Sequence, residues 1–344
     1  MGVERAVERY LKKRQTDATE RTLRGYKSRL NQFLKWCDGH GVETLGDLDA
    51  WTLDEYDLDL RDQGFAPTTI KARLSTLRMF LKYCESIDAV NEGLHESVDV
   101  PTLSKQEETN EERLAEEDAI ASLEFFRDSR RYFGTPMHAF LEIAWHTGAR
   151  MGSLRGLDLS DYDPERQYVK FVHRPSTGTP LKNKQDGERY VGVSDAVCEA
   201  LDMYIARERP KEKRDDHGRE PLFCSRQGRP SYTTIRAWSY MATQPCLWTE
   251  CPHGKQRTSC EWTQRSESSK CPSSRSPHPV RSGSITWQLN QGYDIELVAE
   301  RVNASVEVIK QHYDQATAEE EFEKRRRARE LTLDISEEEE NNDQ

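Results

Sequence analysis

Two segments of this chain, starting at Thr22 and at Thr69, carry the same apolar stripe, and that repetition restricts the first hundred residues to packed helices. TLRGYKSRLNQFLKWC places Leu23, Tyr26, Leu30, Phe33, Leu34 and Cys37 at steps of three and four; TIKARLSTLRMFLKYC places Ile70, Leu74, Leu77, Phe80, Leu81 and Cys84 in the same way. Apolar residues at that period share one helical face and need a partner to cover it. The two segments align without gaps, as expected of two core helices meeting one packing demand. Gly39 and Gly41 end the first helix. The opposite faces carry Arg21, Arg24, Lys27 and Arg29, then Lys71, Arg73 and Arg78. Such faces are usually solvated, and two of them in one domain also suit phosphate contacts, for which Arg24, Lys27, Lys71, Arg73 and Arg78 are the candidates.

Residues 98–112, VDVPTLSKQEETNEE, are polar, aperiodic and interrupted by Pro101. They read as a linker between a helical domain over 1–97 and a larger domain over 113–325. Helical patterns resume from Glu116 to Trp145 and again over Asp195–Arg209, Ser282–Asn290 and Ile295–Arg301. Between them Tyr168–His173 alternates in strand fashion and Glu188–Val193 returns, which predicts a hairpin. The expected fold is mainly α with a small β-sheet: a helical N-terminal domain, then a mixed α/β domain.

No apolar run approaches the ~18 to 20 residues that span a bilayer, and Met1–Arg14 contains no apolar signal core. A cytoplasmic location with reduced cysteines is the expectation. The net charge of −11 argues against a surface that is basic throughout. Many of the acids fall in Glu319–Gln344, including Glu337 to Glu340, and residues 326–344 read as an acidic tail that says little about the domain faces.

Five positions of the second domain make one chemistry. They are Arg150 in HTGARMGSLRGLDLSDYD, Lys184 in LKNKQDGERYVGV, His278 and Arg281 in HPVR, and Tyr313 in VIKQHYD. Attack on a phosphodiester puts negative charge on the non-bridging oxygens, which two guanidinium forks can grip. A phenol becomes a competent nucleophile when it loses its proton. His278 can take that proton, and a hairpin lysine can protonate the departing oxygen. No metal or other cofactor is needed for the chemistry.

The order Arg, hairpin Lys, His-x-x-Arg, Tyr resembles the tyrosine recombinase (phage integrase) family. TGAR followed by GSLRGLDLSDYD is similar to the family's first box, and HPVRSGSITWQLNQGYDIELVAERVNASVEVIKQHYD to its second. The resemblance covers Arg150 to Asp314; the N-terminal domain is similar to the family's core-binding domain in length and pattern. It implies site-specific recombination or integration: Arg150 and Arg281 on the scissile phosphate, Tyr313 forming a 3′-phosphotyrosine, and Lys184 as general acid, with Lys182 the alternative. It also implies double-stranded DNA as partner and a homo-oligomer, a tetramer on DNA, with EEEFEKRRRAREL as a segment that docks on a neighbouring subunit. One position departs. The family places a His or Trp nine residues before the tyrosine, where this chain has Ala304 between Asn303 and Ser305. Either neighbour compensates, the site tolerates the loss, or activity is reduced. The other functions compatible with the sequence are a DNA-binding regulator of the same fold, a type IB topoisomerase-like strand cleavage, and a zinc-dependent binding module.

The last of these rests on Cys246, Cys251, Cys260 and Cys271, within an insertion over 246–271. The surrounding segment has few aliphatic residues and many turn formers, so it needs a staple. In a reducing compartment structural zinc on the four thiolates is the expected one, with His253 an alternative ligand. The insertion lies just before HPVR, and with the overall acidity it resembles integrases of halophilic archaea and their viruses. Cys37 and Cys84 sit on apolar faces and read as core.

Overall fold

The computed structural model describes residues 1–104, 107 and 112–313, apart from the side chains of Arg21 and of residues 311–313. The chain divides into two units, Met1–Asn110 and Glu111–Gln344. The tail over 326–344 and the charged stretch from Glu319 to Arg329 lie outside the described residues.

The described helices of the first unit are α1 (Val3–Arg14), α2 (Glu20–Gly39), α3 (Ala50–Asp62) and α4 (Pro67–Glu85). Their starts follow local chemistry. Thr19 Oγ1 accepts from the Thr22 amide at 3.2 Å and Asp49 Oδ1 from the Thr52 amide at 2.8 Å, which satisfies orphan donors of α2 and α3. Pro67 opens α4, where its missing N–H costs nothing. All six apolar positions expected on α4 are buried; on α2 Leu30, Phe33 and Cys37 are buried, while Leu23, Tyr26 and Leu34 are half-buried. The face of α2 turns to take in Trp36, whose Nε1 donates to Asp59 Oδ2 at 2.6 Å. The two helices of the repeat pack on each other. Arg29 Nη1 donates to Thr76 Oγ1 at 3.2 Å, so Arg29 leaves the solvated face for the helix pair. Burial pushes the Cys37 and Cys84 thiols up to about 12, as befits core residues.

The second unit opens with α5 (Glu116–Asp128), α6 (Pro136–Thr147) and α7 (Met151–Gly156). An antiparallel sheet follows, β1 (Tyr162–Asp163), β2 (Tyr168–Phe171) and β3 (Arg189–Gly192), in that order. Tyr168 pairs with Gly192 and Phe171 with Arg189, so the expected hairpin forms with strands slightly shorter than predicted. Its first strand ends early because His173 serves a turn, Nδ1 accepting from the Leu181 amide at 2.9 Å. Next come α8 (Asp195–Arg207), α9 (Tyr232–Ala242), α10 (Pro277–Asn290), α11 (Ile295–Val302) and α12 (Val306–Tyr313). Helix α10 begins ahead of the expected Ser282, because Pro277 takes its first position and draws HPVR into the opening turns.

Helix α6 is the centre of this unit, packing on α8, α9 and α10; Ala139, Phe140, Leu141 and Ile143 are fully buried. A second, small core of Ile285, Val298, Ala299, Val302 and Ile309 joins α10, α11 and α12. Around the first box a charged network ties three loops together. Arg229 Nη2 reaches Asp158 Oδ1 at 2.5 Å and Asp215 Oδ2 at 2.8 Å, Arg219 Nη2 reaches Asp158 Oδ2 at 2.7 Å, and Arg174 grips Asp161 with both terminal nitrogens, at 2.8 and 2.7 Å. Arg219 Nη1 also donates to Thr177 and Thr179, so the start of the sheet and the 174–179 turn are anchored to one carboxylate cluster. Among the described residues no helix is long and apolar enough to cross a membrane.

Candidate active site

Gly148 ends α6 in a left-handed conformation, φ 58°. A Cβ there would lie 2.8 Å from Val302 Cγ1 and 3.1 Å from Ser284 Oγ, so both backbone angle and close approach call for glycine. This tight turn delivers Arg150 to the N-cap of α7, facing the end of α11.

That helix end organises the site. The final carbonyls of a helix lack intrahelical partners and carry partial negative charge. Here three consecutive carbonyls accept from three guanidiniums of three different elements. Arg301 O takes Arg189 Nε at 2.8 Å from β3, Val302 O takes Arg281 Nη1 at 2.8 Å from α10, and Asn303 O takes Arg150 Nη1 at 2.5 Å from α7. Arg281, only 6% exposed, also donates through Nη1 to Gly148 O, which closes the α6 turn onto α10.

Three cations in one place raise a cost that the pKa directions register. Burial, then the charges of Arg150 and Arg301, lower Arg189 to about 10, which still leaves it charged at neutral pH. Its guanidinium lies 4.3 Å over the Phe171 ring. Arg301 is lowered by burial while its Nη2 donates to His146 O and Gly192 O. His146 is pushed down to about 4, by burial first and by Arg301 second; its Nε2 accepts from the Ser194 amide at 3.1 Å, which requires the neutral ring.

The structure thus brings Arg150 and Arg281 together at the end of α11. His278 lies in the first turn of α10, exposed and three residues before Arg281, on the same side of the helix. Lys184 is exposed and starts a short 3₁₀ turn, Lys184–Gly187, with φ 52°; Lys182 is exposed beside it. Tyr313 is the last residue of α12, and its side chain lies outside the described residues. Ala304 packs against the small apolar core, its amide bonded to Ala299 O at 3.0 Å. In the sequence Arg189 stands out only as part of the hairpin and Arg301 only as the end of an expected helix; a charged residue beside a strand or at a helix end gives no signal by type alone.

On the first unit Arg24 and Lys27 are exposed on α2, Arg24 pairing with Glu20 one turn away at 2.8 Å. Lys71, Arg73 and Arg78 are half-buried on α4, and the Arg73 guanidinium stacks 3.8 Å over Phe65, so these three are less freely solvated than the sequence pattern implies.

Among the described residues no group of three or more His, Cys, Asp or Glu side chains could hold a metal ion, so Cys246, Cys251, Cys260 and Cys271 do not form a ligand set in this arrangement. His253 Nε2 lies 3.0 Å from Ser273 Oγ. Local bonds hold the segment instead. Arg257 Nη1 donates to Gln244 Oε1 and to Cys246 Sγ, both at 3.0 Å, and Gln244 Nε2 donates to Trp262 O at 2.7 Å. Lys255 Nζ sits 3.7 Å above the Trp262 ring, and Ser274 Oγ donates to the Ser268 and Cys271 carbonyls.

Comparison with known proteins matches the phage integrase family to residues 112–320, and the N-terminal SAM-like domain of phage integrases to residues 7–86. Tyrosine recombinase XerD of Halalkalibacterium halodurans is 26% identical over 216 residues, covering 61% of this chain and 65% of that protein. Tyrosine recombinase XerD of Pseudomonas aeruginosa is 25% identical over 286 residues, 81% of each chain. Among solved structures, the Tn1549 transposon integrase in complex with a circular intermediate DNA superposes with a TM-score of 0.66 at 17% identity, covering 95% of this chain and 99% of that one. A lambda integrase dimer bound to a COC′ core site superposes with a TM-score of 0.64 at 15% identity, covering 92% and 79%. These likenesses show the mainly helical fold with its small sheet.

Proposed function

Because the chain belongs to the phage integrase family, we propose that it is a site-specific recombinase that cuts and rejoins DNA strands through a 3′-phosphotyrosine at Tyr313. The observation that carries this reading is the gathering of Arg150, Arg189 and Arg281 on three successive carbonyls at the end of α11. Carbonyl dipoles orient the forks without cancelling their full charges, which suits an oxyanion that gains charge during reaction.

In the proposed reaction the Tyr313 oxygen bonds to phosphorus as its proton passes to His278. The bond from phosphorus to the 5′-oxygen breaks, its electron pair stays on that oxygen, and the oxygen takes a proton from Lys184. Arg150 and Arg281 hold the non-bridging oxygens throughout. Arg24 and Lys27 on α2, with Lys71, Arg73 and Arg78 on α4, supply phosphate contacts away from the reacting group. Strand exchange needs two duplexes, so the working form is a tetramer on DNA. The acidity and the cysteine-rich insertion favour a saline, halophilic setting, and the working compartment is the cytoplasm. Structural zinc is a separate proposal: it requires the four thiolates to converge on the metal. One zinc per purified chain, with a melting temperature that falls on chelation, supports it; metal-free protein with the same melting temperature overturns it.

The test of the main reading is covalent trapping. Duplexes selected for binding from a random library are nicked near the centre of the bound region, so that the short fragment escapes after cleavage. A protein–DNA band on a denaturing gel, lost in Tyr313→Phe, is the expected result. Firm binding with no such band overturns the enzyme reading and favours a DNA-binding regulator of the same fold. Ala304, a methyl packed on the core at the position where the family resemblance implies a His or Trp, is the observation on that side.

A further inference from the structure

Asn303 joins the two halves of this site through one side chain. It sits just past α11 in a left-handed conformation, φ 54° and ψ 62°, which asparagine tolerates better than most residues. Its carbonyl accepts from Arg150, as above. Its side-chain Oδ1 accepts from Asn183 Nδ2 at 2.8 Å, across 120 positions of sequence. Its Nδ2 lies over Gly187, where an added Cβ would come within 2.6 Å of it. Asn183 and Gly187 are the two ends of the turn that holds Lys184. That turn is otherwise exposed, and Lys184 itself occupies the left-handed region at φ 52°, with its amide bonded to Leu181 O at 3.1 Å. One residue therefore fixes the lysine turn and bonds to Arg150.

We infer that Asn303 is a positioning residue for strand cleavage: its amide holds the Lys184 turn in register with the arginines, so that the ammonium meets the departing 5′-oxygen. This rests on the recombinase reading above. The exposed turn meets the α11 end through the Asn303 amide and through Arg189, whose Nη1 donates to Gly187 O at 3.0 Å and whose Nε donates to Arg301 O; of the two, only Asn303 bonds to Asn183 beside the lysine, and proton transfer needs hydrogen-bond reach. Asn303 acts through Lys184 and touches no reacting atom. The same turn region carries Ala304, whose methyl serves packing; the polar duty of the turn falls to its neighbour.

The experiment compares two leaving groups. Asn303→Gly keeps the left-handed backbone and the carbonyl that Arg150 uses, and removes only the amide. Asn183→Ala removes the partner from an exposed loop and leaves the α11 end untouched. Single-turnover cleavage is measured on the selected nicked duplex with an ordinary 5′-oxygen and with sulfur in that bridging position; sulfur leaves as a thiolate and needs no proton. With oxygen each variant is expected to slow cleavage by about 10- to 100-fold, the loss typical of a misplaced catalytic group. With sulfur both should cleave near the wild-type rate, and the double variant should be no slower than the worse single one. Equal losses on both substrates, or no loss on oxygen, overturn the positioning role while wild type still cleaves. If wild type forms no covalent product on either substrate, the recombinase reading falls and this role falls with it.

Discussion

The second unit contains two arginine clusters built on opposite principles. Around Asp158, three arginines meet three carboxylates, and the charges cancel within the protein. Arg174 shows the consequence: hydrogen bonding to Asp161 raises its pKa, against burial. At the end of α11, three arginines meet main-chain carbonyls, and Arg189 is lowered by burial and by its neighbours' charges. The first arrangement holds loops together. The second spends stability to keep cations close, a state that a bound anion would relieve. Similar side chains are thus neutralised or left as uncompensated cations according to what they donate to.

Substitutions in each cluster put this contrast to the test. Arg150→Ala should reduce covalent-complex formation by about 1000-fold, the scale of losing an oxyanion-stabilising donor. Its melting temperature should stay near wild type; a fold collapse would erase the distinction between the clusters. Arg229→Met should do the reverse on stability, costing about 3 to 5 kcal/mol in urea unfolding, because Asp158 and Asp215 are left buried with a missing partner. A loss under 1 kcal/mol there would show that the carboxylate network is ornamental.

His146 extends the comparison to pH. Below its ordinary value near 6.5 the unfolded ring takes a proton, whereas the folded ring stays neutral down to about 4. Between those values the unfolded state binds more protons, so stability falls as pH drops, by about 3 kcal/mol across the window. His146→Gln should flatten that part of the stability curve, and an unchanged slope would sink the assignment. The smallest effect is expected at Arg189→Met, within about 1 kcal/mol of wild type, since a like-charge contact disappears while the packing on Phe171 persists. Its affinity for DNA should lose about one counterion in the salt dependence; a stability loss as large as that of Arg229→Met would erase the contrast.

Much of the architecture could be read before any coordinates. The stripes of α2 and α4 and the hairpin follow from periodicity, and motif order singles out Arg150, Arg281 and Tyr313 as candidates. Helical period and strand alternation are local properties, written within a few residues. The cysteine segment was harder, because spacing along the chain does not determine whether thiols converge. Nor did composition reveal that Arg29 would turn toward Thr76, or that Asn183 would find Asn303.

Local pattern along the chain was enough for the helices, for the order of Arg150, Lys184, His278, Arg281 and Tyr313, and for the kind of chemistry such side chains suit. Tertiary structure alone decided which arginines share a helix end and which share carboxylates. The physical reason is that the acceptors at the α11 end are main-chain carbonyls. Every residue carries one, so no residue type announces which carbonyl a guanidinium will reach; only the turn at Gly148 and the packing of α10 on α11 bring Arg150 and Arg281 to the same one-turn patch.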